Sequence, residues 1–318
     1  MSAPAPDIVS LGEPMYEFSQ MAEQRTYLQG FGGDTMNCAI AAARQGAKVA
    51  YLTRLGNDEF GRQLRELWQR ENIDASGVGT DAEAHTAVYF ITHGPAGHVF
   101  SYLRKGSAAS QMRPEHLNRD LIRAAKFLHT SGISQAISAS ARDTVRAAIE
   151  TARAAGVPVV YDCNLRPRLW SLDIARTVIR ATVAQCDYFL LSVEDAELLC
   201  GLTKPDAILD WCHAAGAPAV ALKLGAEGVI GSNATRRMKI AGHRVECVDA
   251  TGAGDCFAGT LLARMAAGEE FLEALTFANA AAAIATTGYG AVAPLPYPPQ
   301  VRELLERASS RAPGSPAE

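Results

Sequence analysis

The string Asp249-Ala250-Thr251-Gly252-Ala253-Gly254-Asp255-Cys256-Phe257-Ala258-Gly259 carries the densest chemistry in the chain. Two glycines lead into small residues that read as a helix extending to about Ala267. Glycine lets successive backbone N–H groups converge, and a helix N-terminus adds partial positive charge. Gly252, Ala253 and Gly254 therefore suit an anion such as a phosphate. Asp255 falls in the first helical turn, where a carboxylate can take a hydroxyl proton while the amides stabilise charge on a group in transfer. A Gly-rich turn with an aspartate favouring the helix dipole explains the short Gly-x-Gly-Asp core as well. The longer string, with Asp249 upstream, is the specific part.

Four other groups of residues invite a chemical reading. Lys223-Leu224-Gly225-Ala226-Glu227-Gly228 follows an apolar run, and its glycines allow a tight turn with close backbone approach to a ligand; taken alone it reads as a hairpin turn. Gly33, Asp34 and Asn37 open a helical run, where short polar groups can reach hydroxyls, and Asp34 can also cap the helix. Tyr89, Tyr102 and Arg104 flank a hairpin, and Arg166 and Arg168 lie in Asp162-Cys163-Asn164-Leu165-Arg166-Pro167-Arg168-Leu169-Trp170. Arginine's planar fork is the natural partner of a carboxylate, so two arginines at one pocket point to an acidic ligand. For any single one, solvation at the surface is the ordinary alternative.

These residues need elements to carry them. Asp7 to Gly12 reads as a buried strand, Asp34 to Gln45 as a helix closed by Gly46, and Val49 to Leu52 as a strand. Phe60, Leu64, Leu67 and Trp68 recur at helical spacing. Ala87 to Leu103 reads as two strands around His93-Gly94-Pro95-Ala96-Gly97. Thereafter strands at Lys126 to Thr130, Val157 to Tyr161, Tyr188 to Leu191 and Ala219 to Leu222 alternate with helical patterns. One of these has an apolar face of Val145, Ala148, Ile149 and Ala152. Such alternation predicts an α/β fold with a mainly parallel sheet covered on both faces.

The chain has 318 residues, 48% hydrophobic and 20% charged, with 30 basic against 34 acidic side chains and a net charge of −4. That balance excludes a broad nucleic-acid-binding surface and leaves room for a local basic pocket. No stretch approaches the roughly 20 apolar residues that span a bilayer. Met1 to Pro6 shows no basic run followed by an apolar one. The seven cysteines form no CxxC pair, and neither they nor the seven histidines have metal-ligand spacing. A cytoplasmic protein with reduced thiols is expected. Ala308 to Glu318, rich in Ser, Pro and Ala, reads as a mobile tail, with 311–318 its terminal part.

With these strings together, the sequence resembles the ribokinase-like (PfkB) carbohydrate kinase family. Asp249 to Gly259 is similar to its C-terminal signature. Gly30-Phe31-Gly32-Gly33-Asp34-Thr35-Met36-Asn37, continuing to Leu55-Gly56-Asn57-Asp58-Glu59-Phe60-Gly61, is similar to its N-terminal one. The resemblance implies a three-layer α/β/α fold with a small β lid, a single kinase domain over 1–310 whose discontinuous lid comes from about 12–33 and 85–105. It also implies transfer of the γ-phosphoryl group of ATP, with Mg²⁺ on the nucleotide, to a sugar hydroxyl. Asp255 would be the base and Gly252 to Gly254 the anion hole, with Lys223, Gly225, Gly228, Asn164 and Asn279 toward the nucleotide. No Gly-Lys pair occurs, so there is no Walker A loop. His116-Leu117-Asn118-Arg119-Asp120 lacks a contiguous His-Arg-Asp and reads as a polar helix.

The GGDTxN string, the Tyr102-Leu103-Arg104 segment, Leu128-His129-Thr130-Ser131-Gly132-Ile133 and the DxNxRPRLW string together resemble the 2-keto-3-deoxygluconate kinase branch. That resemblance implies Arg104 and Arg166 on a substrate carboxylate, Tyr89 and Tyr102 on the sugar acid, and Gly33, Asp34 and Asn37 on its hydroxyls. The alternatives are a neutral-sugar kinase, such as a fructokinase or ribokinase, and a catalytically silent sugar-binding protein. Where many members carry Asn-x-x-Glu, this chain has Ser192-Val193-Glu194-Asp195, so Asp195 is expected to reach the metal only through water. A monovalent cation such as K⁺ near Asp249 and a homo-oligomer formed through the lid complete the expectations.

Overall fold

The computed structural model describes residues 5–21, 25–94 and 97–310. Its first third runs β1 (Ile8–Leu11), β2 (Met15–Gln20), β3 (Tyr27–Gly32), α1 (Asp34–Arg44), β4 (Val49–Gly56), α2 (Glu59–Arg70), β5 (Val78–Asp81), β6 (Val88–Gly94) and β7 (Gly97–Leu103). The middle continues through α3 (Arg119–Ala124), β8 (Phe127–Ser131), α4 (Gly132–Ala136), α5 (Ala139–Ala154), β9 (Val159–Asp162), α6 (Leu172–Val183), β10 (Tyr188–Ser192), α7 (Val193–Cys200), α8 (Pro205–Ala214) and β11 (Ala219–Lys223). The chain closes with β12 (Gly228–Asn233), β13 (Arg237–Ala241), α9 (Ala253–Ala266), α10 (Phe271–Ala285) and α11 (Pro298–Ser310).

Nine strands form the main sheet in the order β13-β12-β11-β10-β9-β8-β1-β4-β5. Pairing is parallel from β5 to β11, and β12 and β13 complete it antiparallel. Side chains alternate across each strand, so neighbours enter opposite cores. Ile8, Tyr51, Val160 and Leu190 pack beneath α1, α9 and α10. Val9, Leu52, Val159, Phe189 and Leu191 pack against α5, α6 and α8. The result is three layers, and strands buried on both faces explain the unbroken apolar runs. The face expected on α5 is buried as read.

A second sheet, ordered β3-β2-β6-β7, comes from two separate segments; β2 and β6 pair in parallel, the outer pairs antiparallel. Tyr16 joins it to the main body: its ring lies 5.0 Å from that of Phe60, and its hydroxyl donates to Gln63 at 2.7 Å. The tip of the β6–β7 hairpin at 95–96 lies outside the described residues, as does 311–318 of the expected tail. One correction concerns that tail. Ala308 to Ser310 are the last turn of α11, because the Val301, Leu304 and Leu305 face docks on the core and carries the helix past the point where composition turns polar. Among the described residues, no helix is long and apolar enough to cross a membrane.

Candidate active site

The C-terminal ends of β1, β9, β10 and β11 open onto the N-termini of α1 and α9, the kind of edge where α/β sheets bind ligands. Gly252 caps α9 with φ 78°, a left-handed conformation that favours glycine, and a Cβ there would lie 3.0 Å from the Ala291 carbonyl oxygen. Asp249 clasps this loop, accepting from Thr251 N at 2.9 Å and from Gly290 N at 3.0 Å. The N–H groups of Ala253 and Gly254 thus begin the helix with Asp255 in its first turn. α1 and α9 approach closely because the residues between them are small; a Cβ on Gly259 would collide with the Cys38 carbonyl oxygen.

That approach assembles the polar cluster. Asn37 Nδ2 donates to Asp255 Oδ2 at 2.8 Å. Asn164 Nδ2 donates to Asp34 Oδ2 at 3.0 Å, with Asn164 itself at φ 35°. Gly33, at φ 113°, leaves no room for a Cβ against the Glu13 carbonyl. Among the described residues, Asp34 Oδ1 and Asn37 Oδ1 are buried without a partner, two acceptors that a hydroxylated ligand would satisfy. Burial first, then the charge of Asp34, raises the Asp255 carboxyl to about 8, against the opposing pull of the Asn37 amide and of Lys223.

Lys223 reaches the same place. Its Nζ donates to both oxygens of Asp162, at 3.1 and 3.0 Å, and a Cβ on Gly254 would lie 3.3 Å from it. Gly225 (φ 59°) and Gly228 (φ 102°) turn the chain from β11 into β12, so the segment is a hairpin connection beside the helix N-terminus. Asn279 is a buried side chain whose Nδ2 donates to the Ala241 carbonyl at 2.9 Å, at the end of β13 and next to that turn rather than at the anion hole. Asp195 forms a capping box with Ser192 and also accepts from Leu165 N at 2.9 Å, so both its oxygens hold backbone. It anchors the Asn164–Trp170 loop. Among the described residues, no group of three or more His, Cys, Asp or Glu side chains could hold a metal ion.

The small sheet supplies the opposite wall. Tyr89 donates its hydroxyl to buried Glu17 and stacks at 5.8 Å on Tyr102, which carries the Arg104 guanidinium at 5.3 Å from its ring centroid. Arg104 does not stand alone: Nε donates to Glu13 Oε2 at 2.8 Å, Nη2 donates to the same oxygen, and Ser107 Oγ donates to Oε1 at 2.7 Å. Arg166 is exposed and donates to its neighbour Leu165's carbonyl at 3.0 Å; among the described residues no carboxylate pairs with it. Glu13, Glu17 and Asp162 escaped the reading from residue types. The available signal was acidic residues within or beside apolar strands, where an unpaired charge is costly; the structure leaves them 1%, 4% and 3% exposed.

A family model described as "pfkB family carbohydrate kinase" matches residues 5–298. The chain belongs to this family. It is 33% identical to a probable fructokinase-5 of Arabidopsis thaliana, covering 96% of this chain and 99% of that protein. A PfkB protein from Polaromonas sp. JS666 superposes with a TM-score of 0.84 at 31% identity, over 95% and 99% of the two chains. A fructokinase from Xylella fastidiosa with bound ATP superposes with a TM-score of 0.88 at 25% identity, over 95% and 98%. The ribokinase-like architecture is therefore as the resemblance implied. The relatives' names speak for fructokinase, not for the 2-keto-3-deoxygluconate branch that the sequence strings resemble.

Proposed function

We propose that this carbohydrate kinase transfers the γ-phosphoryl group of ATP to the 6-hydroxyl of 2-dehydro-3-deoxy-D-gluconate. The observation that carries the choice of a sugar acid is Arg166. Its guanidinium has no carboxylate partner among the described residues, on the loop whose Asn164 is bonded to the sugar-site Asp34. Arg104, just after β7, lies over the Tyr102 ring with its Nε and Nη2 donating to Glu13. In this reading Asp255 takes the hydroxyl proton as the sugar oxygen bonds to phosphorus, the bond to the bridging oxygen breaks, and ADP leaves. The N–H groups at the start of α9 hold the transferring charge, while Asp34 and Asn37 accept from sugar hydroxyls. Mg²⁺ carried by the nucleotide would neutralise phosphate charge, and Asp195 would meet it only through water. Residues 1–310 act as one kinase domain, with the small sheet as its lid.

A second reading, a neutral ketohexose such as fructose, is favoured by the names of the relatives and by Glu13, which already compensates the charge of Arg104. Both candidates are six-carbon 2-keto sugars, so one assay separates them: ADP release across the keto-deoxy acid, fructose and ribose. Rapid turnover of fructose with none of the acid overturns the first reading, and ADP release with no sugar overturns both. Replacing Na⁺ by K⁺ in that assay tests the monovalent cation beside Asp249. Exposed Leu28, Val99 and Leu103 on the small sheet suit pairing with a second copy, which a monomeric mass by light scattering would refute.

A further inference from the structure

We propose that Lys223, held by the buried carboxylate of Asp162, is the protein's own cation for the transferred phosphoryl group, and that it makes this site distinguish ATP from ADP. The inference deepens the phosphoryl-transfer reading of α9 and rests on it.

Asp162 ends β9 and Lys223 ends β11, with β10 between them. Among the described residues the Asp162 carboxylate has no hydrogen-bond partner other than the Lys223 ammonium, which spans both of its oxygens. The pair is nearly enclosed, the side chains 5% and 19% exposed. Such a pair adds little stability over apolar residues of the same volume, because removing two charges from water costs about what their attraction returns. A purely structural purpose therefore leaves its chemistry unexplained. Its position does not. Nζ lies where a Cβ on Gly254 would press against it, beside the N–H groups that open α9 and on the same side of the sheet as Asp255. Gly254 thus keeps clear the approach to the ammonium as well as the helix amides.

The charge is maintained there. Burial works against the ammonium, but Asp162 and then Asp195 outweigh it, so the lysine holds its proton more tightly than usual. Asp162 has the opposite balance: burial raises its proton affinity and Lys223 restrains it. A fixed cation at the first turn of α9 can stabilise the equatorial oxygens of the γ-phosphoryl group without a conformational search. It also opposes the proton affinity of Asp255, and so favours the base form. This fits the chain's Ser192-Val193-Glu194-Asp195 segment, which offers no amide and spends its carboxylate on backbone. Lys223 is then the catalytic cation and Asp162 its positioning residue.

Calorimetric titration with Mg-ADP and with the Mg complex of β,γ-imido-ATP tests this without turnover. A charge-assisted contact made only to the third phosphate predicts that Lys223→Gln weakens the ATP analogue at least about tenfold and leaves ADP within about twofold. Asp162→Asn should show the same selective loss to a smaller degree. Because Lys223→Gln strands a buried carboxylate, the double variant Asp162→Asn/Lys223→Gln, which strands no charge, must reproduce the selectivity when its thermal melt shows it folded. Equal losses for both nucleotides, or none for either, overturn the role of Lys223 while leaving the kinase reading intact. A wild-type protein that binds neither nucleotide overturns both.

Discussion

Asp255→Asn is the substitution on which the chemistry depends most directly. The asparagine is isosteric, and its carbonyl oxygen can still accept from Asn37 Nδ2, so the 2.8 Å contact between α1 and α9 survives. What it removes is the ability to take a proton. A general base contributes about 10²- to 10⁴-fold, so kcat should fall by that factor, about 3 to 5 kcal/mol of transition-state stabilisation. The same substitution has a signature in stability. Burial and Asp34 raise the Asp255 carboxyl from its ordinary 3.8 to about 8. The folded state then binds a proton that the unfolded state has lost, and that stabilisation is complete below about 4 and disappears as pH rises through about 8. The neutral asparagine has no such dependence, so the melting temperature of Asp255→Asn relative to wild type should rise across that window. Coupled ADP release gives the first quantity and ligand-free thermal melts between pH 5 and 9 the second. A variant with kcat within about threefold of wild type refutes Asp255 as the base. A melting difference that stays flat with pH refutes the buried, proton-hungry carboxyl.

Three further outcomes follow from the same geometry. Arg166→Ala should raise KM for the keto-deoxy acid about tenfold or more, with neutral sugars unaffected, as expected for loss of a charge-assisted contact; equal effects on both in initial-rate assays would remove it from carboxylate recognition. Glu13→Gln leaves the Arg104 guanidinium without its anion inside the protein, and breaking such a pair costs about 3–5 kcal/mol, visible as a lower urea midpoint at unchanged slope. Gly252→Ala meets both a left-handed φ of 78° and the Ala291 carbonyl at 3.0 Å, so it should lose about 1–2 kcal/mol and weaken nucleotide binding through a displaced α9.

Local chemistry was legible where the backbone itself demands a residue type. Gly252 needs a left-handed φ and Gly33 must clear the Glu13 carbonyl, so the turns before α9 and α1 could be read from their glycines, and the aspartates beside them with equal clarity. The parallel sheet was likewise legible, because strands buried on both faces write continuous apolar runs such as Ala219 to Leu222. Partners far apart in the chain were not. Glu13 and Arg104, Asp162 and Lys223, and Asn37 and Asp255 meet only when β1, β9, β11, α1 and α9 end at one edge. No local propensity or spacing encodes which carboxylate will compensate which cation.

That difference separates the two levels of description for this protein. Residue order by itself determined the family and singled out the proposed base and the proposed anion-binding turn, since each rests on short-range constraints of backbone geometry and helix polarity. The tertiary structure decided how charge is distributed in the pocket. It gave Arg104 a carboxylate, gave Arg166 none among the described residues, committed Asp195 to a cap and seated Lys223 beside Gly254. The reason is physical: the effect of a charge depends on its distance from others and on how much water remains between them, and only the folded chain sets either quantity.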